Sequence, residues 1–131
     1  MTAMQTLKEN KMGMPLDVLM FLSACDQKPS ETNADLYKSL IKEEVTEFWD
    51  AEAVCDEAEQ LDACMDMIWV ILGYCHMKGY NISGAWDAVV RTNMAKVDPL
   101  TGKVRRREDG KILKPEGWAP PDMTQFLQKT D

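Results

Sequence analysis

Two sets of carboxylates at helical spacing constrain this chain more than any other feature: Glu43, Glu44 and Glu47 in KEEVTE, then Glu59, Asp62 and Asp66 in EQLDACMD. Spacings of three, four and seven residues project each set from one face of a helix. Asp62 and Asp66 also lead into the most hydrophobic segment of the chain, where a carboxylate is partly buried. An unpaired buried carboxylate costs several kcal/mol or takes up a proton. No lysine or arginine lies between Lys42 and Lys78, so local ion pairs cannot balance this charge. A divalent ion, or a basic group from elsewhere, must do so, and Mg²⁺ or Mn²⁺ prefers such oxygen donors. Taken alone, Glu43, Glu44 and Glu47 read as a solvated helix face, since like-charged neighbours are cheap on a surface. The second set moves the balance toward a metal site.

With 131 residues the chain fits one domain, 1–131, with a helical core over about 15–97 and a C-terminal arm over about 98–131. Its 22 acidic and 15 basic residues give a net charge of −7, which argues against a nucleic-acid duplex as partner, because phosphates call for a basic face. The apolar run MDMIWVILGYC spans 11 residues, well short of the ~20 that cross a bilayer. It reads as a buried helix, and no membrane partner is expected. The opening MTAMQTLKENK has neither an apolar core nor a cleavage site for secretion, so the expected location is the cytoplasm, a host's if the protein is viral. Cys25, Cys55, Cys64 and Cys75 form no metal-finger spacing and read as buried, reduced thiols.

Periodicity predicts four helices. After a loose or short helical lead-in over 1–13, Pro15 opens the first, with Leu16, Leu19, Met20 and Ser23 facing one way. The second starts near Asp35, capped by Asn33 or Asp35, and runs to about Val54, with Leu36, Leu40, Ile41, Val45, Phe48 and Trp49 as its apolar set. The third begins near Asp56 and ends at His76 or Lys78 with Gly79 as its C-cap. So short a break between the second and third predicts antiparallel packing. Asn81 or Ser83 caps the fourth, whose inner stripe is Ala85, Trp86, Val89, Val90 and Met94 and which ends near Lys96. In TGKVRRREDGKILKP, the Asp109–Gly110 pair predicts a short β-hairpin or an ordered arm. The fold class is all-α.

Several chemistries are disfavoured. A single histidine, His76, cannot supply the Glu-x-x-His repeats of di-iron bundles, the Cys and His spacing of zinc hydrolases is missing, and the glycines fit no phosphate-loop fingerprint. Basic residues gather late in the chain: Arg91, Lys96, Lys103, Arg105, Arg106, Arg107, Lys111 and Lys114. They offer a cationic counterpart to the acids, and the bland reading is a solvated hairpin. Asn93 and Lys96 share a face at a helix end and favour function.

Together these residues resemble the MazG-like all-α NTP pyrophosphohydrolases. The family's EExxE matches Glu43-Glu44-Val45-Thr46-Glu47, and its ExxD matches Glu59 to Asp62 or, one turn on, closes at Asp66. The segments LIKEEVTEFWDA, LDACMDMIWVILG, RTNMAK and DGKILKPEGW are similar to the bacteriophage-type branch, and the likeness covers about residues 16–122. The slot three residues before Asp66 holds Ala63 where the family often has Glu, so Asp62 with Asp66 is the preferred pair over Glu59. The resemblance implies a four-helix MazG-like bundle that cleaves a (d)NTP between its α and β phosphates, releasing the monophosphate and pyrophosphate. It implies one to three Mg²⁺ or Mn²⁺ ions on Glu44, Glu47, Asp62 and Asp66, with Glu43 or Glu47 orienting or deprotonating the attacking water. Asn93 and Lys96, helped by Lys111 and Lys114, would contact phosphates. Gln27 would read the base; Phe21 and Trp49 offer stacking faces but are expected in the core. The branch includes enzymes acting on dGTP, termed MazZ, so a purine and dGTP first are expected, as is a homodimer or homotetramer. The alternative is a non-enzymatic helical interaction module whose acidic face binds a basic partner.

Overall fold

In a computed structural model the described residues are 3–128, with side chains from Gly13 onward. The fold is all-α. Four helices, α1 (Ala3–Ala24), α2 (Glu31–Ala53), α3 (Glu57–Lys78) and α4 (Ile82–Met94), are followed by a short 3₁₀ turn, Met123–Phe126. Among the described residues the only strand-like pairings are isolated bridges. The chain divides into two compact units, Met1–Tyr80 and Asn81–Asp131.

In the first unit, α2 and α3 pack along their length and α1 lies on α3. The break between α2 and α3 is a tight corner. Cys55 takes a left-handed φ of 55°, and the Asp56 carboxylate caps α3 by accepting from the Glu59 amide at 3.1 Å. The helices therefore run antiparallel as expected. Tyr37 on α2 faces Gly73 on α3, and seven residues further up α2, seven back along α3, Glu44 meets Asp66. Gly73 is what allows the close approach: a Cβ there would stand 2.6 Å from Tyr37 Cδ1. Val18, Leu22, Ala34, Tyr37, Val70 and Met77 form the core, with Leu40, Ile41, Leu72 and Tyr74 packed on it. His76, also buried, donates from Nε2 to the Pro15 carbonyl at 2.8 Å, and Gly79, at φ 72°, ends α3 in the C-cap role.

Several sequence expectations are corrected. Pro15 does not open α1 but lies inside it; the lead-in is helical from Ala3, its first two residues being outside the described ones. The buried face of α1 is Val18 and Leu22, whereas Leu16, Leu19 and Met20 are exposed, because only the former pair meets the α2–α3 hairpin. Helix α2 starts at Glu31, earlier than expected, since Ser30 accepts from the Asn33 amide at 3.0 Å and takes the capping role given to Asn33 or Asp35. Phe21 and Trp49 are not core: they are 49% and 59% exposed. The apolar run of α3 is only partly buried, with Met65, Ile68, Trp69 and Ile71 exposed. Cys25 and Cys55 are exposed and Cys64 and Cys75 half-buried, all four free.

In the second unit, Asn81 caps α4 by accepting from the Gly84 amide. The 3₁₀ turn packs on α4. The buried α4 residue is Ala88, while Trp86, Val90 and Met94 of the expected inner stripe are exposed. The expected hairpin exists in minimal form: Arg106 and Ile112 bridge, the Arg107 amide donates to Lys111 at 2.8 Å, and Gly110 turns the chain at φ 88°.

Candidate active site

Helical geometry on facing surfaces gathers the acids. One oxygen each from Glu44, Glu47 and Asp66 lies within 4.8 Å of the others. Glu44 and Asp66 are half-buried and Glu47 is exposed, so the group opens to solvent on the Glu47 side. Asp62, one turn before Asp66, adds its charge: burial first, then the charges of Asp62 and Glu47 and a hydrogen bond with Asp62, raise the Asp66 carboxyl above its usual range. Glu44 is pushed up to about 7 by burial first, then by sharing a proton with Glu47 and by the charges of Glu47, Asp66 and Asp62. When all are ionised there is no proton to share, and the buried Glu44 Oε2 has no hydrogen-bond partner among the described residues.

These three acids are placed where they could hold a cation. The donor set is all oxygen, its spread matches the ~4–5 Å between opposite ligands of a Mg²⁺- or Ca²⁺-sized ion, and its most buried oxygen lacks a donor. A divalent ion fits these residues.

The other expected residues lie as follows. Glu43 and Glu59 are exposed and stand outside the converging group, and so does Asp62, which was expected to be partly buried with Asp66: it lies one turn nearer the exposed start of α3 and reaches the group through its hydrogen bond and charge on Asp66. Gln27 is half-buried, and its Oε1 accepts from the Tyr37 hydroxyl at 2.7 Å, leaving the amide NH₂ as its free edge. In the second unit, Lys96 donates to Asn93 Oδ1 at 3.1 Å. Lys96 and Lys114 converge on one indole, their Nζ atoms 4.9 and 4.8 Å from the Trp118 ring centre. Lys111 is exposed on the hairpin. Arg105 pairs with Asp98 at 3.3 Å and Arg107 with Asp109. Sequence reasoning did not single out Tyr37 or Trp118. Tyr37 stands three and four residues before Leu40 and Ile41, a helical spacing that could have found it; Trp118 could have been noticed as a lone aromatic in a Pro- and Gly-rich loop.

An all-α chain in which paired helices converge carboxylates in this way carries the oxygen-donor set that a divalent cation takes. The sequence profile of the phosphoribosyl-ATP pyrophosphohydrolase family matches residues 22–93, more than half of the chain, and the chain belongs to that family. It is thus a nucleotide pyrophosphohydrolase of the MazG-like all-α type. The matched span contains Gln27, all the candidate acids and Asn93. No individual curated protein matches the chain.

Proposed function

We propose that this enzyme hydrolyses a nucleoside triphosphate between the α and β phosphates, giving the monophosphate and pyrophosphate. The observation that carries the reading is the convergence of Glu44, Glu47 and Asp66 across the α2–α3 pair. These three with Asp62 would hold Mg²⁺ or Mn²⁺, one to three ions per site. Such an ion, when bound, would offset the charge developing on the leaving pyrophosphate. The chain's own groups do the rest. Glu47, the exposed member of the group, orients and deprotonates the attacking water, with Glu43 as the alternative base. Asn93, Lys96, Lys111 and Lys114 contact phosphates. Gln27, its carbonyl held by Tyr37, offers an NH₂ edge to a base acceptor such as a purine O6, which favours dGTP as the first substrate to test.

The large apolar side chains exposed on the first unit, among them Met20, Phe21, Trp49, Leu61 and Met65, support burial against a second copy, as homodimer or homotetramer. Light scattering on the purified protein tests this: a monomer at micromolar concentration removes the argument. No described helix is long and apolar enough to cross a membrane, which fits action on a nucleotide pool in the cytoplasm. A phage-type origin accords with the DGKILKPEGW segment.

One assay tests the chemistry. Canonical and modified NTPs and dNTPs, with phosphoribosyl-ATP included, are incubated with Mg²⁺ or Mn²⁺ and the products separated. Monophosphate plus pyrophosphate is expected; orthophosphate would move the scissile bond, and no turnover on any substrate would return the acidic face to the interaction-module reading.

A further inference from the structure

Trp118 holds two lysines without neutralising them. Its indole is anchored at one end: Nε1–H donates to the Thr92 carbonyl at 2.7 Å. That carbonyl is open because α4 tightens as it ends, with the Lys96 amide bonding Asn93 instead of Thr92, so the indole satisfies a helix-end acceptor. Gly117 at φ 77° and a turn in which the Trp118 amide donates to Pro115 at 3.1 Å bring the ring into place. Lys96 reaches it from the end of α4 and Lys114 from the hairpin arm.

The contrast with neighbouring cations is informative. Arg105 and Arg107 in the same arm are matched by Asp98 and Asp109, whereas neither Lys96 nor Lys114 ion-pairs with a carboxylate among the described residues. A carboxylate would fix a lysine but cancel its field. An aromatic face fixes it through the ring quadrupole and leaves its charge and N–H donors directed outward. In a chain of net charge −7, two such ammoniums posted on a half-buried ring form a local cationic site.

We propose that Trp118 is the positioning residue of the phosphate site assigned above to Lys96 and Lys114: its anchored indole holds both ammoniums on one face for the polyphosphate end of a nucleotide. Lysine serves here as a point charge with three donors, suited to the terminal oxygens of a di- or triphosphate. The choice of anion rests on the pyrophosphohydrolase reading; the geometry does not. Lys96, Lys114 and Trp118 also lie beyond the span matched to the family, 22–93.

The test runs without turnover, so that a failed hydrolysis assay and a failed anion site are separate results. Inorganic tripolyphosphate is titrated by calorimetry into the full chain in EDTA at low salt. Lys96→Gln and Lys114→Gln should each weaken binding by roughly 5- to 10-fold, the worth of one partly screened charge contact. Trp118→Phe retains a ring face and should keep most of the affinity, while Trp118→Leu should lose about as much as a lysine substitution. A ring that only packed would not distinguish Phe from Leu in this way at equal melting temperature. Lys114→Gln and Trp118→Phe lie on an exposed arm and a conservative change respectively, so they remain informative if Trp118→Leu fails to fold. A loss in Trp118→Phe as large as in a lysine substitution, equal affinity in Trp118→Phe and Trp118→Leu at equal melting temperature, wild-type affinity in Lys114→Gln, or no tripolyphosphate binding by the wild type overturns the proposal.

Discussion

In the absence of divalent ions, raising the pH should destabilise this protein through Glu44. Its carboxyl is raised from 4.5 to about 7 by burial and by Glu47, Asp66 and Asp62. The native state therefore binds a proton more tightly than the unfolded chain, and its stabilisation is complete below about pH 4.5 and lost as pH climbs to about 7. Taken at face value the shift corresponds to about 3 kcal/mol. Glu44 is half-buried and solvent screens part of the repulsion, so about 1–2 kcal/mol is the expected change, or ~3–8 °C in melting temperature for a chain of this size. Asp66, raised for similar reasons, acts in the same direction. The groups held low, Asp98, Asp109 and Asp122, respond below their usual carboxylate range and leave this window alone. The assay is thermal unfolding in EDTA from pH 4.5 to 8, repeated with millimolar Mn²⁺. Wild type should lose stability with pH in EDTA and regain it with Mn²⁺, because an ion displaces the shared protons. Glu44→Gln should flatten the first curve and blunt the second. Superimposable curves for wild type and Glu44→Gln in EDTA would refute the electrostatic account of the cluster.

Glu47→Gln or Asp66→Asn should lower turnover on the order of 100-fold or more by removing an ion ligand, yet leave the ion-free fold as stable or steadier; persistent activity in both would remove these side chains from the site. Gly73→Ala should destabilise by about 1–2 kcal/mol, since overpacking against the buried Tyr37 ring outweighs the gain in helix propensity; Tyr37→Leu in the same chain should restore much of the loss in urea melts. Asn81→Ala should cost about 1 kcal/mol by leaving the Gly84 amide without its cap, read from the same melts.

The sequence was most informative where period and chemistry coincide. Helical spacing, opposed placement and the lack of local cations pointed to two facing acidic sets, of which the structure brings Glu44, Glu47 and Asp66 together and leaves Glu43, Glu59 and Asp62 outside the group. Gly79 was legible as a C-cap and Asn81 as one of two N-cap candidates because each has a backbone reason to stand where it does; Asp56 was legible only as the start of α3. The inward faces were harder. Val18 and Leu22 lie on the same apolar helix as Leu16, Leu19 and Met20, and only the direction of the α2–α3 pair chooses between them. Phe21 and Trp49 have core-like composition but reach the surface, a choice that a single chain's pattern cannot express. The link from Trp118 to Thr92, Lys96 and Lys114 joins the helix end to an arm many residues later, where no periodicity applies.

The corner at Cys55 reaches further than its size. Each added or deleted residue there would rotate one helix against its mate by about 100° and slide it by about 1.5 Å, scattering the carboxylates while leaving every one of them in the chain. Length at this hairpin bend is thus part of what gathers the three acids, and variants shortened or lengthened by one residue should keep their helicity and lose any stabilisation by Mn²⁺.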